Sequence, residues 1–432
     1  MSLRDVLLFA IVGVALPFAL TNPFVGVALW TWLSVMNPHR LTWGIAYEFN
    51  FAFVTAIVTL ISVVIAHSKV KFPFNALSVT VIAFLLWMNF TMLFAIHFDL
   101  SVEMWSRLNK TLVMTLVAMA AVRSEKQIKI FLWIFVMSVA FFGIKGGVFT
   151  ILTAGEFRVY GPESSQIADN NAISVALLMV IPLMVYLVNQ DNRMVVKIGM
   201  LVTILLCAAA VLASYSRGAF VAGGAMLAIL ALKNRRRLLL LPLIMIPILV
   251  LLAAMPQKWW DRMATISIEN PDGSIRGRFN AWHMAWNLAL DRPITGGGFS
   301  IYEADVFQKY APDPLDIHSA HSNYFQVLGE HGFVGLALFL LIAILMWRTA
   351  SRIIRSSTDP PTRWRGDLAR AVQVSMVGFL VGGLTVNIAY WDVYYFETVM
   401  LVALERLAPW SGAALTTPST AHRAVNASAS SA

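Results

Sequence analysis

The sequence predicts an all-α, polytopic membrane protein, and two observations carry that prediction. Of the 432 residues, 59% are hydrophobic and only 13% are charged, about half the charge density of an ordinary soluble domain. The mean hydropathy is +0.72. A helical crossing needs about 20 apolar residues, so the chain has room for about a dozen crossings and one modest extramembrane domain. A soluble globule is excluded.

Apolar runs occupy approximately 5–36, 45–66, 75–96, 109–122, 128–152, 172–188, 198–213, 218–232, 238–254, 332–347, 371–389 and 391–408. The first is too long for one straight helix and is interrupted at Thr21, Asn22 and Pro23, which predicts a broken helix or two short ones. It lacks a small-residue cleavage site and leads straight into further membrane segments, so it reads as retained. Basic linkers fall on alternate loops: Lys69 and Lys71; Arg123, Lys126 and Lys129; Arg193 and Lys197; Lys233 and Arg235 to Arg237; Arg352, Arg355, Arg363 and Arg365. Their alternation puts them all on the cytoplasmic side. If Arg4 is also inside, the stretch 5–36 makes one net crossing, giving twelve crossings with both ends cytoplasmic. Thirteen, with the N-terminus outside, is the competing count.

The outward loops are then 37–44, 97–107, 153–171, 214–217 and a stretch of 77 residues from Met255 to His331. This long loop holds six Lys or Arg and nine Asp or Glu, a net charge of −3, as expected opposite the basic loops. Inside it, Trp282, Ala285, Trp286 and Ala289 follow the i, i+3, i+4, i+7 pattern of an amphipathic helix. Pro293 and three consecutive glycines within Asp291 to Gly298 end it. A second helical stretch begins near His321 and runs through Tyr324, Phe325 and Leu328 toward the next membrane segment. The expected organisation is transmembrane helices over 1–254, the large outer loop over 255–331, C-terminal transmembrane helices over 332–408, and a Ser, Ala and Thr rich disordered cytoplasmic tail over 409–432.

Several function classes fall away. The net charge of +9 reflects short basic loops between apolar runs, which is topology and not nucleic-acid binding. The single cysteine, Cys207, excludes an intramolecular disulfide and a cysteine metal cluster. No internal repeat is visible and the halves do not resemble one another, which weakens a transporter built on inverted repeats.

Four outward places combine polar groups with helix ends. Ser214-Tyr215-Ser216-Arg217-Gly218 puts Arg217 at or near bilayer depth, where an unpaired cation costs a few kcal/mol or more. It reads either as a snorkelling anchor or as a functional cation with an anionic partner. Gly218 and Ala219 favour the second by admitting another backbone or a ligand. Arg276-Gly277-Arg278 precedes the Trp282 helix, and guanidinium suits phosphate because its planar donors bind oxygens in pairs. Standing alone in a loop, an R-x-R is more often solvated surface. His318-Ser319-Ala320-His321 could ligate a metal, but carboxylates are sparse and no H-E-x-x-H accompanies it, so a general base is the better reading. Capping or packing is the bland reading of either histidine, and the crowding of His318, His321, Glu330 and His331 weakens it. Lys145 is explained by snorkelling. Arg158 follows in the next loop, and Asp169 to Asn171 read as a helix cap.

Twelve helices, one large outward loop late in the chain, S-Y-S-R-G-A at 214–219 and H-S-x9-G-x-x-G from His321 to Gly335 together resemble the O-antigen ligase and polymerase family of bacterial inner membranes. The Lys145 to Asn171 stretch and Asn37-Pro38-His39-Arg40 are similar to O-glycosylation ligases associated with exosortase systems. The resemblance implies a GT-C type glycosyltransferase of lipopolysaccharide biosynthesis that works without a metal or other cofactor on the periplasmic face. Its donor would be a glycan on undecaprenyl pyrophosphate and its acceptor a hydroxyl of lipid A-core. Polymerases and protein O-glycosyl ligases share the architecture with other acceptors. His321 matches the family's catalytic histidine, Arg217 its helix-end arginine, and Arg278, in preference to Arg276, its loop arginine. Arg276, Arg158, Lys145, His318 and Tyr324 are the candidate substrate-binding residues, with membrane lipids as further partners. The chemistry agrees: a leaving pyrophosphate needs cations, an attacking hydroxyl needs a base, and a histidine with pKa near 6.5 can be neutral. A lipid-linked glycan transporter would want the arginines without the histidine.

Overall fold

The computed structural model describes residues 2–66, 71–163, 165–233, 249–264 and 273–407. The basic cluster Arg235 to Arg237, Lys69, most of the run 238–254 and the C-terminal tail lie outside the described residues. Among the described residues there is no β-strand. The principal helices are α1 (Leu3–Thr21), α2 (Pro23–Met36), α3 (Phe51–Ile65), α4 (Ala76–Met92), α5 (Phe98–Ala121), α6 (Glu125–Leu152), α7 (Asn170–Gln190), α8 (Met194–Leu212), α9 (Arg217–Lys233), α10 (Gln257–Ala264), α11 (Gly273–Asp291), α12 (Ala304–Tyr310), α13 (Asn323–Ser356), α14 (Arg363–Gly382) and α15 (Asp392–Arg406). By length and composition α1, α6, α7, α8 and α13 suffice to cross a membrane, and α2, α3, α4 and α9 are shorter apolar helices. Among the described residues, then, five helices meet the length and composition of a full span on their own. α5 and α14 carry charged ends, and α15 is only 15 residues long.

Helix α15 is apolar on nearly all sides and sits at the centre, with every residue from Asp392 to Glu405 buried. A helix without a polar face belongs inside a bundle. One oxygen of each of two of its buried carboxylates accepts a local hydroxyl, Glu397 from Ser375 and Asp392 from Ser34 at 3.2 Å.

Polar contacts gather at two opposite ends of the bundle and follow the alternation of loops. At one end Arg352 pairs with Glu405 at 2.8 Å, Asn75 donates to the same carboxylate at 2.8 Å, and Arg406 donates to the Lys71 carbonyl at 3.3 Å. At the other end Trp259 donates to the Leu212 carbonyl at 2.8 Å, Ile96 donates to Gly297 at 2.8 Å, and His97 meets Asp305 at 3.0 Å. The basic linkers with described side chains and the large loop thus occupy separate ends.

The start of the chain departs from the expected single crossing. Asn22 breaks the first run by capping Phe24 with its side chain, and Pro23 opens α2, where a missing N–H costs nothing. The two helices form a hairpin, because Arg4 at the head of α1 donates to the Leu41 carbonyl beyond the end of α2 at 2.9 Å. Arg4 therefore lies on the side of residues 37–44. The stretch 5–36 thus runs out and back instead of making one pass, which is the arrangement of the competing count.

Helix α13 bends sharply at Gly332, whose φ of 67° and ψ of −171° are non-helical. The turn over residues 293–298 docks into that bend: Gly297 donates to the Gly329 carbonyl at 2.8 Å, Gly298 to Glu330 at 2.9 Å, and Phe333 to Pro293 at 2.9 Å. The long outer loop is thereby tied to the membrane bundle.

Candidate functional site

The segment 155–170 converges with the turn 213–216 on the start of α9. After α8 ends, Tyr215 adopts a left-handed φ of 58° and its hydroxyl donates to the Gly155 carbonyl at 2.7 Å. Val159 donates to Ala213 at 2.9 Å and the Asn170 amide to Ser214 at 2.7 Å. Ser216 accepts the Ala219 N–H at 3.2 Å, so the chain enters α9 capped, with half-buried Arg217 as its first helical residue. A helix N-terminus adds a partial positive charge to that guanidinium. Gly218 lets Thr385 approach closely, since a Cβ would stand 2.0 Å from its hydroxyl and force it to shift. Exposed Arg158 lies 5.7 Å over the Tyr215 ring, beside the same turn.

His321 is clamped from both flanks. The Ala320 carbonyl accepts the Trp282 indole N–H at 2.7 Å, Ser322 N–H donates to Asn387 at 2.8 Å, and Asn323 N–H donates to Gly383 at 2.7 Å. Between these anchors His321 takes a φ of 42°, a conformation that side-chain-bearing residues hold only when their surroundings over-determine it. The expected helix thus starts two residues later than His321, at Asn323, and the histidine stands free of its ladder.

Arg276, Gly277 and Arg278 belong to α11, which begins at Gly273, and are not a flexible loop ahead of the Trp282 helix. At about 100° per residue, positions 276 and 278 point about 200° apart and cannot form one clamp. Arg276 is exposed, whereas Arg278 is half-buried and its charge acts on His321. Gly277 lies between them against the His318 ring, where a Cβ would come within 2.7 Å of Nδ1. Exposed His318 pairs with Asp316 at 2.8 Å.

Burial, above all, lowers the pKa of His321 below the ordinary histidine value. The Arg278 guanidinium and His318 push in the same direction, and Asp169 opposes them. Asp169 was legible only as a cap, and it does accept the Asn171 and Ala172 N–H groups at 2.8 and 3.0 Å. Its second role, facing His321, depends on α7 and the His321 segment meeting in space, and no local pattern signals it.

Other expected residues lie elsewhere. Tyr324 spends its hydroxyl on the Leu380 carbonyl at 2.6 Å, fastening α13 to α14. Glu330 and His331 are buried away from His321: Glu330 receives the Tyr390 hydroxyl, and His331 Nδ1 meets the Thr91 hydroxyl at 2.7 Å. Of the expected group, His318 and His321 lie near one another, whereas Glu330 and His331 are engaged elsewhere. Lys145 is exposed on α6 and lines a cavity to which none of the other expected site residues contributes. Among the described residues no three His, Cys, Asp or Glu gather as a metal site.

A half-buried imidazole that favours its neutral form, with a guanidinium next to it, can take a proton from a hydroxyl while stabilising a nearby anion. Three family models match parts of the chain. Residues 200–340 match the O-antigen ligase family, residues 3–192 a family of unknown function (DUF5935), and residues 293–408 the TMEM128 protein family. No curated protein matches the chain. The first of these segments contains Arg217, Arg276, Arg278, His318, His321 and Tyr324.

Proposed function

We propose, on the match of residues 200–340 to the O-antigen ligase family, that the chain is a membrane glycosyltransferase moving a glycan from undecaprenyl pyrophosphate to a hydroxyl of lipid A-core on the periplasmic face. The observation that carries this reading is a half-buried His321, held at a left-handed backbone angle, whose proton affinity is lowered by burial and by the Arg278 charge. In the proposed step the acceptor oxygen attacks the anomeric carbon, and its proton passes to His321. The bond from that carbon to the pyrophosphate oxygen breaks, and undecaprenyl pyrophosphate leaves with the electron pair. Arg217 and Arg278 receive the growing negative charge, each through a planar fork of donors. The pyrophosphate is a good leaving group and the two guanidinium groups supply its counter-charge, so the reaction is proposed to need no metal.

Arg158, near the Arg217 turn, and Arg276 and His318, at the rim of α11, are proposed to guide the donor's sugars or phosphates. A polymerase would instead extend another lipid-linked glycan, and a protein ligase would modify Ser or Thr, with the same donor chemistry. The test is a transfer assay with purified protein in detergent, offering lipid A-core, a second lipid-linked glycan and a pilin-like protein in parallel, with and without chelator. Product on lipid A-core that persists in chelator supports the proposal. Product on another acceptor alone redirects it to that class, and no product on any acceptor, with donor bound, contradicts glycosyl transfer.

A further inference from the structure

The ends of α1, α2 and α6 on the side of the large loop border an open cavity of about 400 Å3. Two sequence features that the transfer step leaves unused meet there, Lys145 and the Asn37-Pro38-His39-Arg40 segment, which contributes Pro38 to the lining. Arg4 lines it as well. Its guanidinium lies 4.2 Å over the Trp43 ring and donates to the Leu41 carbonyl, which fixes it at the cavity edge. Lys145 Nζ stands 5.8 Å from the Phe141 ring. Two cations therefore face a chamber whose walls are mostly apolar. Asp5, the carboxylate next to Arg4 in sequence, is fully buried, accepts the Ser2 N–H at 2.6 Å and does not line the chamber.

The chamber opens sideways. Leu7 and Ile11 line it and are 59% and 43% exposed, on an α1 face that a bilayer would cover. Free phosphate would meet the cations but leave these apolar walls uncovered, and apolar surface is stabilised by about 25 cal/mol per Å2 when covered. A headgroup with its own ammonium would set a third cation against Arg4 and Lys145.

We propose that this cavity binds an anionic glycerophospholipid, its phosphate between Arg4 and Lys145 and an acyl chain along Leu7, Ile11 and Phe141. The site lies within residues 3–192, the segment that matches a family of unknown function, and the proposal does not depend on glycosyl transfer.

Native mass spectrometry of the full-length protein in detergent, titrated with phosphatidylglycerol or phosphatidylcholine of identical chains, tests it. The wild type should bind phosphatidylglycerol in preference. One interfacial lysine is worth about 1 kcal/mol toward anionic lipid, which is about fivefold, so Lys145→Gln should weaken phosphatidylglycerol binding by about that factor and leave phosphatidylcholine unchanged. Lys145→Arg should restore it, and Arg4→Gln should behave like Lys145→Gln. Equal binding of the two lipids by the wild type, or an unaltered preference in the double variant Arg4→Gln, Lys145→Gln, overturns the proposal. Displacement of the lipid by millimolar inorganic phosphate also overturns it, in favour of a free-anion site.

Discussion

Replacing Gly332 by alanine should unfold the joint between the large outer loop and the bundle. The φ of 67° and ψ of −171° at this position fall in a region that is essentially glycine's alone, and an L-residue there costs about 1 to 3 kcal/mol. The added Cβ would also stand 2.5 Å from the Ile294 carbonyl oxygen and 2.6 Å from that of Pro293. Both are backbone atoms, so the turn over 293–298 must move away bodily. Moving it breaks the hydrogen bonds from Gly297, Gly298 and Phe333, each worth about 1 kcal/mol net. The combined loss is about 4 to 6 kcal/mol, comparable with the whole stability of many domains. Thermal unfolding in detergent, read by size-exclusion chromatography together with cellular abundance, measures it. Gly13→Ala is the control, since nothing lies within 4 Å of its added carbon and alanine favours the helix. A Gly332→Ala protein as stable as wild type would refute the reading of the bend as a glycine-dependent joint.

Other outcomes follow from the same geometry. Arg278→Gln should lower transfer about tenfold to a hundredfold, the worth of one charge-assisted bond, while Arg276→Gln on the opposite side of α11 should cost much less; equal losses would contradict the helical placement. Arg217→Lys should fail to restore the activity lost in Arg217→Ala, because an ammonium keeps the charge but not the fork. Activity should fall on acidification through a His321 pKa that lies below the ordinary histidine value, because protonation removes the base. Arg278→Gln removes a positive charge that disfavours the imidazolium, so the acid limb should move to higher pH; a shift to lower pH would contradict the pairing. In a Cys207→Ser background, single cysteines replacing Ser2, Trp43 and His318 should label from one side of the membrane and those replacing Lys71 and Arg363 from the other. Labelling of positions 2 and 43 from opposite sides would contradict the α1–α2 hairpin.

What the sequence could reveal divides along local and non-local lines. The two-ended distribution of charge was legible because alternating basic loops are a compositional signal, and Arg352, Arg406 and Lys71 do meet at one end. The break at Asn22-Pro23 was legible from capping chemistry. The return of α2 beside α1 was not, because it is marked by the contact of Arg4 with Leu41, 37 positions away in sequence. The amphipathic stretch at Trp282 was visible by periodicity, but its extension back to Gly273 was hidden by Arg-Gly-Arg, which reads as loop. Gly277 is tolerated inside that helix because His318 occupies the space a side chain would need. His321 was singled out by its motif. Its left-handed backbone was not foreseen, because Gly383 and Asn387, which hold its neighbours, are more than 60 positions away in sequence.

The most direct measurement is single-turnover transfer from a pyrophosphate-linked glycan donor by purified wild type and His321→Ala, with donor binding measured on the same samples. A positioned base contributes about 10² to 10⁴ in rate. The account predicts a loss of transfer of that size with donor affinity nearly unchanged and with a milder effect in His318→Ala. Near wild-type turnover by His321→Ala would contradict it.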